Sequence, residues 1–370
     1  MHPLILTPLY PPAVGGAATY FGDIAAQLAR REEIQRLTIL TERLPGQPPD
    51  SRQDKLAVLR HLPTRVSIPR RPWLLHALTY IQTQRWFATH LPGLLRTQPW
   101  FAQTGIDLIH FHTRYGGQSF YRMLRRSGLP VIADLRDKMI APQRLVGVCA
   151  TLMTCGEGVR QFAIAGGFPE AQTTLVPIPF TLPESPTQEK VTHLRQKHHL
   201  GNAPFLLFIG DITRSKGVFD LLAAYRDWRK AHPETRLVMA GVNREGPPFS
   251  ERVAHTPGTR YLGKIPHSDV LTLMKGAAIL ILPSRSEGLP RVILEAVALG
   301  TKVVCPPNIP EFDRHLSQFV LPEVSPPAIR ATLERVWKTN QCPAYPLHHH
   351  HLPQVVTKLI EVYRCSERDF

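Results

Sequence analysis

The 370-residue sequence has only five cysteines, and no two of them have the C-x-x-C spacing. Structural zinc sites need paired ligands and disulfide frameworks need regularly spaced cysteines, so we predict five reduced thiols and no bound metal. The internal histidine run 348–351 does not change this prediction, because adjacent histidines in a loop cannot all converge on one ion. This cysteine usage is typical of a cytosolic protein.

Long apolar runs are also missing. The closest approach to a membrane span is 73–95, which Gln82 and Arg85 interrupt. The first residues lack a basic start and break at Pro11-Pro12, which indicates a strand and a turn and not a signal peptide. We therefore expect a cytoplasmic protein that is soluble or bound peripherally to the inner face of the cytoplasmic membrane.

Acidic residues are scarce: 29 Asp and Glu stand against 44 Lys and Arg, and the formal net charge is +15. Such a charge favours nucleic acid, anionic lipid or phosphorylated substrates as partners. The sequence contains no helix-turn-helix, zinc-finger or RNA-binding motif, so nucleic acid is not predicted as a partner. From Lys55 to Ile106 there is no acid at all, but there are six arginines and three tryptophans: Arg60, Arg65, Arg70, Arg71, Arg85, Arg96, Trp73, Trp86 and Trp100.

Strand-like apolar runs alternate with helical stretches along the chain, which is too long for one ordinary core. This rhythm predicts parallel βαβ units in two Rossmann-like, doubly wound α/β domains that face each other across a cleft. The polar stretch 181–190 is the predicted linker between a first domain, 1–180, and a second domain, 191–352. We expect the C-terminal segment 353–370 to form a helix that crosses back to the first domain, and 42–70 to be loop-like around a weak strand.

The stretch 281–300 is the most informative part of the sequence. A buried strand is predicted to end before a loop with Glu287 and Gly288, and Pro290 suits the first turn of a helix that contains Glu295. The two carboxylates are about 12 Å apart if the segment is helical, which is too far for a proton-sharing pair. They could instead hold two ends of an elongated ligand, with an anion at the helix N-terminus between them.

A second stretch, 208–222, places two cations after another predicted strand. The strand ends at Gly210, and the following loop contains Arg214 and Lys216 before Gly217, which allows a close backbone approach. Ligands of α/β proteins bind at this edge of a parallel sheet, and two cations there suit a diphosphate.

Each of these residues taken alone has an ordinary explanation. Glu287 could belong to a surface loop, Glu295 could support helix packing, and the two cations could lie in a solvated loop. Their order along the chain and their positions at the ends of predicted strands favour one binding site.

On these residues the sequence resembles the glycosyltransferases of family 4, also called group 1, which have the GT-B fold. The resemblance covers nearly the whole chain and is strongest in 205–311. The family's E-x7-E motif appears as Glu287 and Glu295 within its PS-x-x-EG-x-P pattern. Its G-R-L-x-x-x-K-G loop, L-x-x-x-G strand, glycine loop and D-x-x-H strand appear at 210–217, 237–241, 261–263 and 107–110.

The resemblance implies roles for individual residues. Glu287 would contact the donor sugar, Glu295 the ribose, and Lys216 the diphosphate of a nucleotide sugar. Gly15 and Gly16, which open the first helix, would approach the phosphates or the acceptor. The other donor-binding residues that it implies are Gly210, Arg214, Gly263, Lys264, Gly288, Leu289 and Pro290.

The sequence departs from the family pattern at two places. Asp211 stands where the family has a phosphate-binding arginine, and we predict that Arg214 replaces it. Arg136-Asp137 stands where the family often has a His-Asp pair, and both are predicted catalytic residues, with Arg136 acting electrostatically because arginine is not a base. His110 is a further predicted catalytic residue: we expect one of His110 and His112 to reach the cleft and the other to lie in the core.

The reaction that the resemblance implies is transfer of a hexose-type sugar, with retention of its anomeric configuration, from a nucleotide-diphosphate sugar. The sequence has no Asp-x-Asp motif, which metal-dependent glycosyltransferases of the other major fold use to hold a cation. With Arg214 and Lys216 available to stabilise the leaving group, we expect no metal and no cofactor.

The predicted acceptor is a lipid-linked sugar or a polysaccharide of the bacterial cell envelope, including lipopolysaccharide. The acid-free stretch with its tryptophans predicts docking on an anionic membrane surface, although 73–89 could equally be an ordinary helix of the first domain. Three other possibilities stay open on the same fold: a non-catalytic relative, a phosphorylase and an epimerase.

Overall fold

The computed structural model describes residues 1–13, 15–62, 81–82, 85–86, 89–90, 93, 105–114 and 117–368. Backbone contacts divide the chain into two compact units: Met1–Phe180 with His349–Phe370, and Thr181–His348. Most of the segment predicted to dock on a membrane lies outside the described residues, as do Arg65, Arg70, Arg71, Arg96, Trp73 and Trp100.

The first unit is built on one sheet. Its described strands are β1 Pro3–Leu6, β2 Leu37–Glu42, β3 Asp50–Gln53, β4 Leu56–Leu62, β5 Leu108–His112, β6 Val131–Leu135, β7 Thr151–Thr154 and β8 Thr173–Leu175. They lie in the order β3-β4-β2-β1-β5-β6-β7-β8, and all neighbours are parallel except β3 and β4. The expectation of a loop around one weak strand in 42–70 is therefore wrong in its described part, which contains an antiparallel hairpin.

Helices cover both faces of this sheet, because successive side chains of a strand point to opposite sides. Leu4 and Leu6 pack with α2 Gln118–Arg125 and α3 Glu157–Ala165, whereas Ile5 packs with α1 Gly16–Leu28 and α11 Leu352–Arg368. The C-terminal helix therefore belongs to the first unit.

The boundaries between the units differ slightly from the predicted ones. The predicted linker 181–190 is too long, since the Thr187 side chain caps a helix that begins at Gln188. The predicted second domain ended at 352, but His350 shares a hydrogen bond of 2.7 Å with the Ile178 carbonyl of the first unit. His350, which is buried, is therefore packed within the first unit.

The second unit is a five-stranded parallel sheet with the order β11-β10-β9-β12-β13. Its strands are β9 Phe205–Ile209, β10 Arg236–Ala240, β11 Thr259–Tyr261, β12 Ile279–Ile281 and β13 Lys302–Val304. Its helices are α4 Gln188–Lys197, α5 Val218–Trp228, α6 Pro247–Ala254, α7 His267–Gly276, α8 Arg291–Ala298, α9 Pro310–His315 and α10 Pro326–Lys338. The chain winds outward from β9 to β11 and then returns to β12, so the topological switch point lies between β9 and β12.

Both units thus have the Rossmann-like layout. Among the described helices, none combines the length and the apolar character that crossing a bilayer requires.

Candidate active site

The loops after β9 and β12 meet at the switch point of the second unit. The loop after β9 forms a short 3-10 helix, Arg214–Lys216, and then turns at Gly217 with a φ of 68°. A Cβ at Gly217 would collide with the Pro283 carbonyl oxygen, so only glycine lets the two loops pack this closely. The approach brings the Lys216 ammonium group against the Glu287 carboxylate in an ion pair.

Arg285, which no sequence motif marks, holds the two loops together. Its backbone N–H donates to the Ser215 carbonyl at 2.8 Å, and its guanidinium donates to the Arg214 carbonyl at 3.0 Å and to Asp220 at 2.8 Å. These hydrogen bonds therefore hold in place the two loops that carry Lys216 and Glu287. No local pattern reveals this role, since the partners lie far away in sequence.

Glu295 is 5% exposed and has two cationic or polar neighbours. Its Oε1 accepts hydrogen bonds from Arg291 Nε at 2.8 Å and from His267 Nε2 at 3.1 Å. Arg291 lies one helical turn earlier, and this i,i+4 spacing could have been read from the sequence. His267 begins α7, and only the fold brings it to α8.

The other predicted donor-binding residues lie around the same edge. Leu289 and Pro290 are buried directly before α8, and Gly288 is partly exposed beside them. The Gly241 N–H donates to the Gly263 carbonyl at 2.9 Å, so the loops after β10 and β11 are also in contact. Gly210 closes β9, its N–H donates to the Ala240 carbonyl at 3.0 Å, and Lys264 is exposed after β11.

Arg214 and Asp211 are paired separately in the loop after β9. Arg214 Nε lies 3.4 Å from Glu245 Oε2, and its side chain is 76% exposed. Asp211 Oδ2 accepts from Arg244 Nε at 3.2 Å. The residue that replaces the family's arginine is therefore held by an arginine of the loop after β10.

The first unit contains a buried ionic network at the ends of β5 and β6. Asp134 is 1% exposed and accepts from Arg136 Nη1 at 3.2 and 3.1 Å. The Arg136 guanidinium lies 3.5 Å above the Tyr20 ring of α1, and His110 Nε2 lies 3.5 Å from Asp134. Nδ1 of His110 shares a hydrogen bond of 2.8 Å with the Tyr363 hydroxyl of α11.

The electrostatics of this network follow from its burial. Burial opposes charge on Asp134, but Arg136 and the histidines outweigh it and hold the pKa of Asp134 well below its usual range. Burial lowers the pKa of His112 to about 3, so that its ring is neutral at pH 7. Asp134 and Arg136 thus form a permanently charged pair inside the first unit.

The expectation that His110 and His112 divide between core and cleft is wrong. Both are buried, and their rings lie 6.0 and 5.3 Å from the ring of Phe21. Residues two positions apart in a strand point to the same face, which places both histidines under α1.

The remaining predicted residues of the first unit lie nearer the surface. Asp137 is partly exposed, and its Oδ1 accepts from the Met139 N–H at 3.0 Å. Gly15 and Gly16 are exposed at the start of α1, which has no side-chain cap and no acid in its first turn. That helix end therefore offers unneutralised N–H dipoles. In the part of the chain that the structure describes, no group of three or more His, Cys, Asp or Glu side chains could hold a metal ion.

Comparisons with known proteins divide the chain in the same way. Residues 190–340 match the family model of the glycosyl transferases group 1, and residues 15–179 match that of the glycosyl transferase 4-like domain. A glycogen synthase of Mycobacterium tuberculosis is 34% identical over 102 residues, which are 27% of this chain and 25% of the relative. The putative teichuronic acid biosynthesis glycosyltransferase TuaC of Bacillus subtilis is 30% identical over 99 residues, 27% of this chain and 23% of the relative.

The chain thus spans about a quarter of the length of these curated relatives. A glycosyltransferase from Rickettsia africae superposes with a TM-score of 0.70 at 14% identity, over 99% of this chain and 98% of that one. Anabaena HepE, solved with UDP and glucose, superposes with a TM-score of 0.66 at 15% identity, over 99% and 100%. At these identities the likeness shows the fold alone, which is the GT-B fold with its two Rossmann-like units.

Proposed function

Because this chain belongs to the group 1 glycosyl transferases with a family 4-like first unit, we propose that it transfers a sugar from a nucleotide-diphosphate donor to an acceptor. The observation that carries the proposal is the Lys216–Glu287 pair at the switch point, with Glu295 on the helix that follows. This edge of a parallel sheet is where α/β proteins bind nucleotides.

The chemistry that we propose stabilises charge on the leaving diphosphate. As the bond between the sugar and the diphosphate breaks, Lys216 and N–H groups before α8 meet the negative charge that builds on the phosphate oxygen. The acceptor hydroxyl forms the new bond from the same face, and the departing phosphate takes its proton. The product keeps the donor's anomeric configuration, and the step uses no metal and no cofactor.

Glu287 has two tasks in this proposal. Without donor it neutralises Lys216, whose side chain is 28% exposed. When the donor binds, its diphosphate forms the ion pair with Lys216 in place of Glu287. The Glu287 carboxylate then accepts hydrogen bonds from the sugar hydroxyls. A hexose is the sugar we propose, in keeping with the glucose in the HepE complex.

For the acceptor we propose a lipid-linked sugar or a polysaccharide of the cell envelope. The protein would act in the cytoplasm, at the inner face of the cytoplasmic membrane. Two observations support this choice: the named role of TuaC in teichuronic acid biosynthesis, and the acid-free, arginine-rich segment 55–106. Envelope acceptors of this kind are presented at a membrane surface.

A thermal-shift screen tests the donor site. One of UDP, GDP or ADP, at about 100 times its Kd, should raise the Tm of the second unit by roughly 5–10 °C. The Glu295→Ala variant should lose most of the shift, because the ribose loses its carboxylate, and Asp313→Ala on an exposed turn of α9 is the matched control. If none of the three diphosphates raises the Tm of the wild type, the proposed nucleotide site is wrong.

Vesicle sedimentation tests the membrane part of the proposal. The protein should co-sediment with phosphatidylglycerol vesicles at low salt and detach at high salt, since each cation near an anionic surface contributes about 1 kcal/mol. The pair Arg70→Glu and Arg71→Glu should reduce binding, whereas Arg125→Glu with Arg126→Glu, at the exposed end of α2, should not. Equal recovery with neutral vesicles, or none with either, would favour a soluble acceptor.

A further inference from the structure

Two ion pairs join the loop after β9 to the loop after β10, and each loop supplies one acidic and one basic residue. Asp211 pairs with Arg244, and Arg214 pairs with Glu245, with closest distances of 3.2 and 3.4 Å. The backbones are also bonded, since the Ile212 N–H donates to the Val242 carbonyl at 2.8 Å and the Arg244 N–H donates to the Ile212 carbonyl at 3.1 Å. These backbone hydrogen bonds therefore fix the position of the Arg244 Cα.

The Asp211–Arg244 pair leaves most of the Arg244 fork available. The Asp211 carboxylate accepts a hydrogen bond from Nε of Arg244. Among the described residues, neither Nη group of Arg244 has a hydrogen-bond partner. The side chain is 60% exposed. An arginine held at Nε by a carboxylate can present its remaining N–H groups to a phosphate in the bidentate geometry that arginine favours.

Arg214 is placed differently. Its backbone N–H donates to Glu245 Oε1 at 2.7 Å, and its guanidinium carbon lies 4.9 Å from the centre of the Phe219 ring. The side chain lines a cavity of about 540 Å³ between α5 and α6, together with Arg226 and Arg252. The Arg214 side chain therefore lies against α5 and the cavity between α5 and α6.

The strand order places the loop of Arg244 next to the loop of Lys216. Along the sheet edge, the loop of Glu287 follows β12, that of Lys216 and Asp211 follows β9, that of Arg244 follows β10, and that of Gly263 follows β11. With the sugar at Glu287 and the ribose at Glu295, the diphosphate lies between them, beside the loop of Lys216 and Asp211 that Arg244 contacts. Asp211 occupies the place of the arginine in the G-R-L pattern that this loop resembles.

We propose that Arg244, oriented by Asp211, binds the donor diphosphate together with Lys216, in the role that the sequence predicts for Arg214. The inference rests on the proposed function. Arg244 is then a binding residue and Asp211 a positioning residue, so the loop after β10 supplies the cation that residue 211 does not.

Calorimetric titration with UDP, GDP and ADP, each paired with its nucleoside, tests the inference. For the diphosphate that binds the wild type, Arg244→Ala should lower the affinity about 10–100-fold and leave the nucleoside affinity unchanged, as expected for losing a hydrogen bond to a charged group. Arg214→Ala and the control Arg226→Ala should change it less than about threefold, the size of a weak surface contact. Loss in Arg214→Ala with none in Arg244→Ala would overturn the inference.

A charge exchange tests the role of Asp211. Arg244→Asp should weaken diphosphate binding at least as much as Arg244→Ala, and adding Asp211→Arg should recover most of the affinity by returning a cation to the same place. Absence of recovery in the double variant means that the two residues do not share one position, and contradicts the inference.

Lys216→Ala separates this inference from the proposed function. If Lys216→Ala loses diphosphate affinity and Arg244→Ala does not, only the assignment of Arg244 is wrong. If neither variant loses affinity, or if no diphosphate binds the wild type, the donor site itself is misplaced and the inference falls with it.

Discussion

Replacing Lys216 with alanine should lower the rate of nucleotide release from donor and acceptor by about 10²–10³-fold, the usual cost of removing one preorganised electrostatic stabiliser. The reason is geometric. Lys216 lies on the capped turn after β9, and Gly217 packs this turn against the Pro283 carbonyl of the loop after β12, so its charge is in place before the phosphate departs. Glu287→Ala should have a loss of similar size, because the sugar would lose its hydrogen-bond acceptor.

The measurement is initial velocity with purified variants whose folding is checked by circular dichroism. Lys230→Ala is the matched control, because Lys230 also forms an ion pair, at 3.0 Å with Asp227, but on an exposed helix end. Lys216→Arg should retain part of the rate, since it keeps the charge and changes its geometry. Wild-type turnover in Lys216→Ala would remove the assignment of the switch point as the donor site.

The two-sheet architecture could be predicted from the sequence because parallel strands buried on both faces are short, continuous apolar runs. Leu4–Leu6 and 205–208 are such runs, and both are fully buried strands. The hairpin partner β3 was missed because its sequence, Asp-Ser-Arg-Gln, is polar and mostly exposed. Its backbone pairing with β4, not its side chains, makes it a strand.

Local patterns select Glu287, Glu295 and Lys216 as candidates, but they do not reveal the partners that hold them. Arg285 and His267 reach the site through β9–β12 packing and through α7, and neither has a recognisable motif. The same limit applies to Arg244: the departure at Asp211 is visible in the sequence, but its ion pair with Arg244, 33 residues later, is not. Side-chain pairing between loops depends on strand order, which one sequence does not specify.

In the first unit, the replacement Asp134→Asn should lower the free energy of unfolding by about 3–5 kcal/mol, the usual cost of breaking a buried ion pair on one side. Arg136 would keep its place over Tyr20 with a side chain 11% exposed and no carboxylate to neutralise it. Hydrogen exchange of the β5 and β6 amides measures this effect in the first unit alone. Glu170→Gln, which breaks an exposed ion pair of the same unit, should cost less than about 1 kcal/mol.

The pH dependence and a double variant separate charge from packing. Because the pKa of Asp134 is lowered by folding, its contribution is fully present above about pH 4 and is lost only as the pH falls through the folded value. The difference between wild type and Asp134→Asn should therefore be equal at pH 7 and pH 5. Adding Arg136→Gln should recover part of the lost stability, since no uncompensated charge remains. Wild-type protection of the β6 amides in Asp134→Asn, or no recovery in the double variant, would show that the pair contributes through packing and not through its charge.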